Sequence, residues 1–155
     1  MTLVRSILLA TDLSPVSHAV FAGAACLAER FGARVDVVYV WQPPPGVSLG
    51  MTTARCKQET VSDVARKHAA HQMGELLASS ARYKSFRSRI EVGAPHELIV
   101  TLASSERHDL IVMGAAAKHG RIGSVTRRVL DSAPCPVLTL RHPAESPFER
   151  PGRVS

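Results

Sequence analysis

Between positions 114 and 124 the chain runs Gly-Ala-Ala-Ala-Lys-His-Gly-Arg-Ile-Gly-Ser, and these residue types suit an anion. Gly114, Gly120 and Gly123 let backbone N–H groups come close to phosphate oxygens, and Lys118 and Arg121 add positive charge. Ser124 can donate from its hydroxyl and its backbone, and Val125 continues into a helical pattern whose positive end would face the same point. Asp12 lies after an apolar run and has two candidate roles: a hydrogen-bond acceptor for a ligand, or for the turn Asp12-Leu13-Ser14-Pro15.

Other combinations carry less. His68, His71 and Glu75 have the i, i+3, i+7 spacing of one helix face, but no second ligand cluster accompanies them, and no metal site is expected. His96-Glu97 begins an HExxH pattern that Val100 breaks. Cys135, between two prolines, reads as packing and not as a nucleophile; Cys26 reads as core, and Cys56 as an exposed thiol. There is no GxSxG elbow, Walker loop or catalytic carboxylate pair, so no catalytic residue is assigned.

The elements that must position these residues alternate along the chain. Ser6–Thr11 reads as a strand and Val16–Phe31 as a helix, with Ser14 as its cap, Pro15 in its first turn and Gly32 at its end. Val35–Trp41 is β-branched and strand-like. Prolines 43–45 open a long loop to about Gln58, and a helix follows with Val61, Val64, Ala65, His68, Ala69, Met73, Leu76 and Leu77 as its stripe. Phe86–Val92 alternates like a strand with one wet face, which predicts a sheet edge. A helix through Leu98 and Ala103, a strand at Asp109–Gly114, a helix at Gly123–Ala133 with Val125, Val129 and Leu130 inward, and a strand at Val137–Leu140 complete the order. Strict alternation of this kind argues for an α/β fold: one doubly wound, five-stranded parallel sheet with helices on both faces. In such sheets ligands gather at the carboxyl ends of the strands, where strand order reverses.

Length and composition agree with a single domain over 1–141, followed by a tail over 142–155 that has three prolines and is expected to be disordered. The net charge of +6 permits nucleotide or nucleic-acid partners, with dense spots at Arg82–Arg89 and Arg121–Arg128. No aromatic residues are interleaved with them, so a basic nucleic-acid binder is kept only as a second alternative. Three scattered cysteines and no apolar run long enough for a signal or a membrane span point to a cytoplasmic chain with no membrane partner.

Gly123–Leu140, GSVTRRVLDSAPCPVLTL, resembles the C-terminal signature of universal stress proteins; Ser6–Ser17 and Asp109–Gly114 resemble that family's first and fourth strands. The resemblance implies the adenine-nucleotide α-hydrolase-like fold with strand order 3-2-1-4-5. It implies an adenosine held near Asp12 and Val40, and phosphates held by a motif G-x2-G-x9-G-[ST] matched by Gly114, Gly123 and Ser124. Ala117 stands at the second glycine, and only five residues, Lys118–Ile122, precede Gly123, so the site is partly degenerate. The expectation is a stress-response or regulatory homodimer paired through its last strand, acting on protein partners. The alternative is a genuine ATP and Mg²⁺ binder with slow hydrolysis.

Overall fold

A computed structural model describes residues 3–53, 56–79, 85–115 and 122–141. Its elements are β1 (Ser6–Thr11), α1 (Ser17–Phe31), β2 (Arg34–Trp41), β3 (Thr52–Thr53), β4 (Cys56–Thr60), α2 (Val61–Ala78), β5 (Phe86–Val92), α3 (Pro95–Ser105), β6 (Leu110–Gly114), α4 (Ser124–Ser132) and β7 (Val137–Leu140). The main sheet is parallel throughout, in the order β5-β2-β1-β6-β7. This is the expected 3-2-1-4-5 arrangement, with Phe86–Val92 at one edge and Val137–Leu140 at the other.

β1 and β2 are central, so both of their faces need apolar residues, and the sequence supplies nearly unbroken runs. Ile7, Leu9, Val35 and Val37 pack under α1 and α2 with Phe21, Ala24, Ala28, Met73 and Leu76. Leu8, Ala10, Val38, Ile111 and Met113 pack under α3 and α4 with Ile99, Ala103 and Val129. Burying each large side chain of this kind contributes about 1.5–3 kcal/mol. Three alanines of α1, Ala24, Ala25 and Ala28, are buried against the sheet.

Several local expectations are corrected. α1 begins at Ser17, not after a Ser14 cap; Val16 stands at the cap position with no side-chain bond. The reason lies upstream: Asp12 Oδ1 accepts from the Ser14 amide at 3.0 Å, and Thr11 Oγ1 accepts from the Leu13 amide at 3.0 Å. These bonds hold the chain in a turn with Leu13 at φ 56°, and the helix starts only after it. The long loop after Trp41 contains an antiparallel pair, β3 with β4, and Thr60 and Asp63 cap α2 reciprocally. Val64, His68, Phe31 and Leu130 are exposed rather than inward, because each helix buries only a narrow stripe. Cys26 is half-buried, beside the Ala24–Ala25–Ala28 face and not within it. The Cys56 thiol and the tail over 142–155 lie outside the described residues.

α3 ends in a Schellman turn. The Arg107 amide donates to Ser104 at 3.2 Å and the His108 amide to Ala103 at 2.9 Å, with Arg107 at φ 52°. Glycine is the residue suited to that position, and the Arg107 side chain is exposed. Arg107→Gly should therefore raise stability by about 0.5–1 kcal/mol, read as a higher urea midpoint. A lower midpoint would assign the arginine side chain a stabilising contact of its own.

Candidate functional site

β1 leads through α1 to β2 on one side, while β6 lies on the other side of β1, so the strand order reverses between β1 and β6. The register pairs Ala10 with Met113, which sets Thr11 beside Gly114 and Asp12 just beyond the strand end. On the next strand Tyr39 pairs with Thr11, so Val40 stands level with Asp12. α1 starts at Ser17 and α4 at Ser124, so both helices begin at this end of the sheet. The positive ends of both helix dipoles give the crevice a positive bias.

Asp12 sits in a small hydroxyl network. Its Oδ1 accepts from the Ser14 amide at 3.0 Å and from Ser17 Oγ at 2.9 Å, and Thr11 Oγ1 donates to Ser17 Oγ at 2.8 Å. Partial burial works to raise the carboxyl pKa, but the hydrogen bonds from Ser14 and Ser17 outweigh it and hold the group below its ordinary range. Asp12 is therefore ionised at neutral pH. Among the described residues, all of its hydrogen bonds go to Oδ1. One oxygen thus organises the turn, and Oδ2 is left able to accept from another donor. Leu13, the residue after it, carries the strained positive φ that often accompanies such a fixed turn.

Across the crevice, Gly114 ends β6. A Cβ placed there would meet Val20 Cγ2 at 3.4 Å, the near limit of ordinary contact, so packing under α1 does not by itself demand glycine. The Gly114 carbonyl accepts from Thr126 Oγ1 at 3.2 Å, and the Ala115 amide donates to the Leu140 carbonyl at 2.8 Å. Gly123 occupies the cap position of α4 in extended backbone, with no side chain over the first amides of the helix. Ser124 is exposed and Val125 is half-buried against the second core cluster. The structure thus brings Asp12, Val40, Gly114, Gly123, Ser124 and Val125 to one end of the sheet. Ala117, Lys118 and Arg121 lie outside the described residues. Thr126, which ties α4 to Gly114, was hidden in the sequence because a threonine in a helix's first turn has many ordinary uses.

A second cluster lies further back, toward the amino end of β2, where sequence reasoning assigned nothing. Asp36 is only 2% exposed; its Oδ1 accepts from Arg87 Nε at 2.7 Å, and its Oδ2 from Arg87 Nη2 at 3.2 Å. His108 Nε2 lies 2.9 Å from the same Oδ2. Glu106 takes Arg87 Nη2 at 3.3 Å and Arg89 Nη1 at 2.7 Å. Asp36, Glu106 and His108 could together ligate a metal, but the Arg87 guanidinium already bridges the two carboxylates. Burial raises the Asp36 pKa, yet Arg87 and His108 overcompensate, and the carboxyl lies below its ordinary range. By contrast His71 meets Glu75 on an exposed helix face at 3.5 Å, and His68 takes no part. The Cys135 thiol is pushed up by burial and by the Asp109 charge, as suits a packing residue. Among the described residues, no helix is long and apolar enough to cross a membrane.

Comparison with known proteins agrees with this architecture. The profile of the universal stress protein family matches residues 4–141. A universal stress protein of Methanocaldococcus jannaschii is 32% identical over 147 residues, covering 91% of this chain and 84% of the relative. One from Thermus aquaticus is 33% identical over 141 residues, covering 88% and 98%. Among solved structures, UspA of Lactobacillus plantarum superposes with a TM-score of 0.68 at 24% identity, covering 91% of this chain and all of that one. An Archaeoglobus fulgidus universal stress protein in complex with dAMP gives 0.58 at 25% identity, covering 89% and 98%. A universal stress protein in complex with cAMP gives 0.62 at 22%, covering 90% and 98%. With its sheet order, its switch-point crevice and a profile match over nearly the whole sequence, this chain belongs to the universal stress protein family.

Proposed function

We propose that this protein is a cytoplasmic, homodimeric stress-response regulator whose β1/β6 crevice binds an adenine nucleotide with a complete nucleoside end and a reduced phosphate end. The observation that carries this reading is Asp12: an ionised carboxylate, fixed through one oxygen, at a crevice where two helices begin. Relatives of the same fold with cAMP and dAMP in their complexes support an adenine ligand. Ala117 in place of glycine and the short Lys118–Ile122 interval support a weakened hold on the outer phosphates. Of the crevice residues named, Asp12 alone bears a carboxylate, so Mg²⁺ would draw most of its ligands from the nucleotide.

Pairing of two copies through β7 is supported by its place at the sheet edge, as a four-residue strand that is mostly half-buried. The ATP and Mg²⁺ binder with slow hydrolysis remains the second reading, favoured by the α4 start at Ser124. The nucleic-acid reading loses support, because Arg87 and Arg89 of the dense basic stretch are taken up by Asp36 and Glu106.

If the phosphate end uses the α4 start, Gly123→Val should weaken AMP binding about tenfold, the cost of losing one good hydrogen bond to a charged group. The fold should survive, as judged by an unchanged circular dichroism spectrum. Unaltered affinity in Gly123→Val and in Ser124→Ala would remove α4 from the site.

A further inference from the structure

Tyr39 is half-buried among the core residues under α1 and pairs directly with Thr11, the residue before Asp12. Thr11, Ser17 and Tyr39 all belong to the α1 side of the sheet, since Thr11 bonds to Ser17 and Tyr39 packs on the cluster containing Phe21. Tyr39 thus stands one residue short of the level of Asp12 at the carboxyl end of the sheet, near enough for the Asp12 charge to be felt at the phenol. Among the described residues, no group hydrogen-bonds to the Tyr39 hydroxyl.

From this geometry we infer that Tyr39 is a specificity-determining residue, its hydroxyl and Asp12 Oδ2 together reading a hydroxyl group of the bound ligand. This rests on the nucleotide reading above and adds what that reading leaves open. The chemistry follows from the inventory of the two groups. Ionised Asp12 can only accept, and its Oδ1 is committed to Ser14 and Ser17. The Tyr39 hydroxyl can donate. A ligand group placed between an acceptor and a donor satisfies both only if it donates once and accepts once, and a sugar hydroxyl does both. A deoxy ligand leaves the two protein groups facing a C–H, and a site built to bond a hydroxyl discriminates against the analogue that lacks it. The Tyr39 pKa is raised by burial and by the Asp12 charge, which agrees with their proximity.

The test is calorimetric titration of the full-length protein with AMP, 2′-deoxy-AMP and 3′-deoxy-AMP, in the wild type and in Tyr39→Phe. Expected is a preference of about tenfold or more for AMP over at least one deoxy form. In Tyr39→Phe that preference should shrink severalfold, while the deoxy form binds as before. A purely packing tyrosine predicts the same ratio in both proteins, and that result overturns the inference while leaving the nucleotide reading intact. Wild type that binds none of the three overturns both. Spectrophotometric titration of the phenols gives a ligand-free check: Asp12→Asn should lower the Tyr39 pKa, and an unchanged value would separate the two groups and sink the inference.

Discussion

Asp36→Ala should cost about 3–5 kcal/mol, a large share of the roughly 5–15 kcal/mol that holds a domain of this size together. Asp36 and His108 are both inside, with side chains 3% and 1% exposed, so neither can turn to water when the other is removed. Arg87 is different: its side chain is 63% exposed and can swing out to solvent. Arg87→Ala removes the guanidinium that holds the buried Asp36 carboxylate charged, so it should destabilise as well, by part of the Asp36→Ala loss, because His108 Nε2 still meets Oδ2. The Asp36→Leu/His108→Leu double variant should recover most of the loss, because an apolar pair replaces a buried polar one. Urea unfolding of the four proteins decides it; an unchanged midpoint in Asp36→Ala, or a double leucine variant no more stable than Asp36→Ala, would contradict this account of the buried group.

The same group sets an acid limit. The carboxyl of Asp36 lies below its ordinary value of 3.8 despite burial, because Arg87 and His108 hold the charged form. Its contribution is present at every pH above that ordinary value and is lost as pH falls through the folded-state pKa. Wild type should lose stability more steeply below about pH 4 than the double leucine variant.

Asp12→Asn should leave the fold nearly unchanged and weaken adenine-nucleotide binding about 10- to 100-fold. Asparagine keeps an oxygen for the Ser14 amide and the Ser17 hydroxyl, so the turn at Leu13 persists. The second oxygen becomes an NH₂ group, which donates where the ligand requires an acceptor. Loss of binding with an unchanged urea midpoint would assign Asp12 to the ligand. A fallen midpoint with unchanged affinity would leave it a turn residue only.

How far these features could be read in the sequence follows from the range of the interactions behind them. The sheet was legible because central parallel strands need apolar runs on both faces, and SILLAT, VDVVYVW and DLIVMG supply them. The edge position of Phe86–Val92 was legible because Arg87, Arg89 and Glu91 interrupt its apolar residues. Helix faces were only partly legible. Periodicity says that Val64, Leu130 and Val129 lie near a stripe, but not how wide the surface beneath it is, and only Val129 is buried. The start of α1 was misplaced because Thr11 and Asp12 take the Leu13 and Ser14 amides and hold a turn there, and the Ser17 amide then donates to the Ser14 carbonyl at 2.9 Å instead of to its side chain. In the candidate site, Asp12, Gly114 and Gly123 were legible from type and position, whereas Thr126 and Tyr39 emerged only once the strands were in register. The Asp36–His108 pair spans 72 residues of sequence, and no local pattern announces a bond of that range.

The measurement that bears most directly on the central claim is calorimetric titration of nucleotide-stripped wild-type protein with AMP and with ATP, each with and without Mg²⁺. A crevice with an intact nucleoside end and a reduced phosphate end predicts binding of both, with AMP at least as tight as ATP and little effect of Mg²⁺. Heatless titrations with both nucleotides would contradict the account, and ATP bound more than about tenfold tighter than AMP in a Mg²⁺-dependent way would contradict the reduced phosphate end.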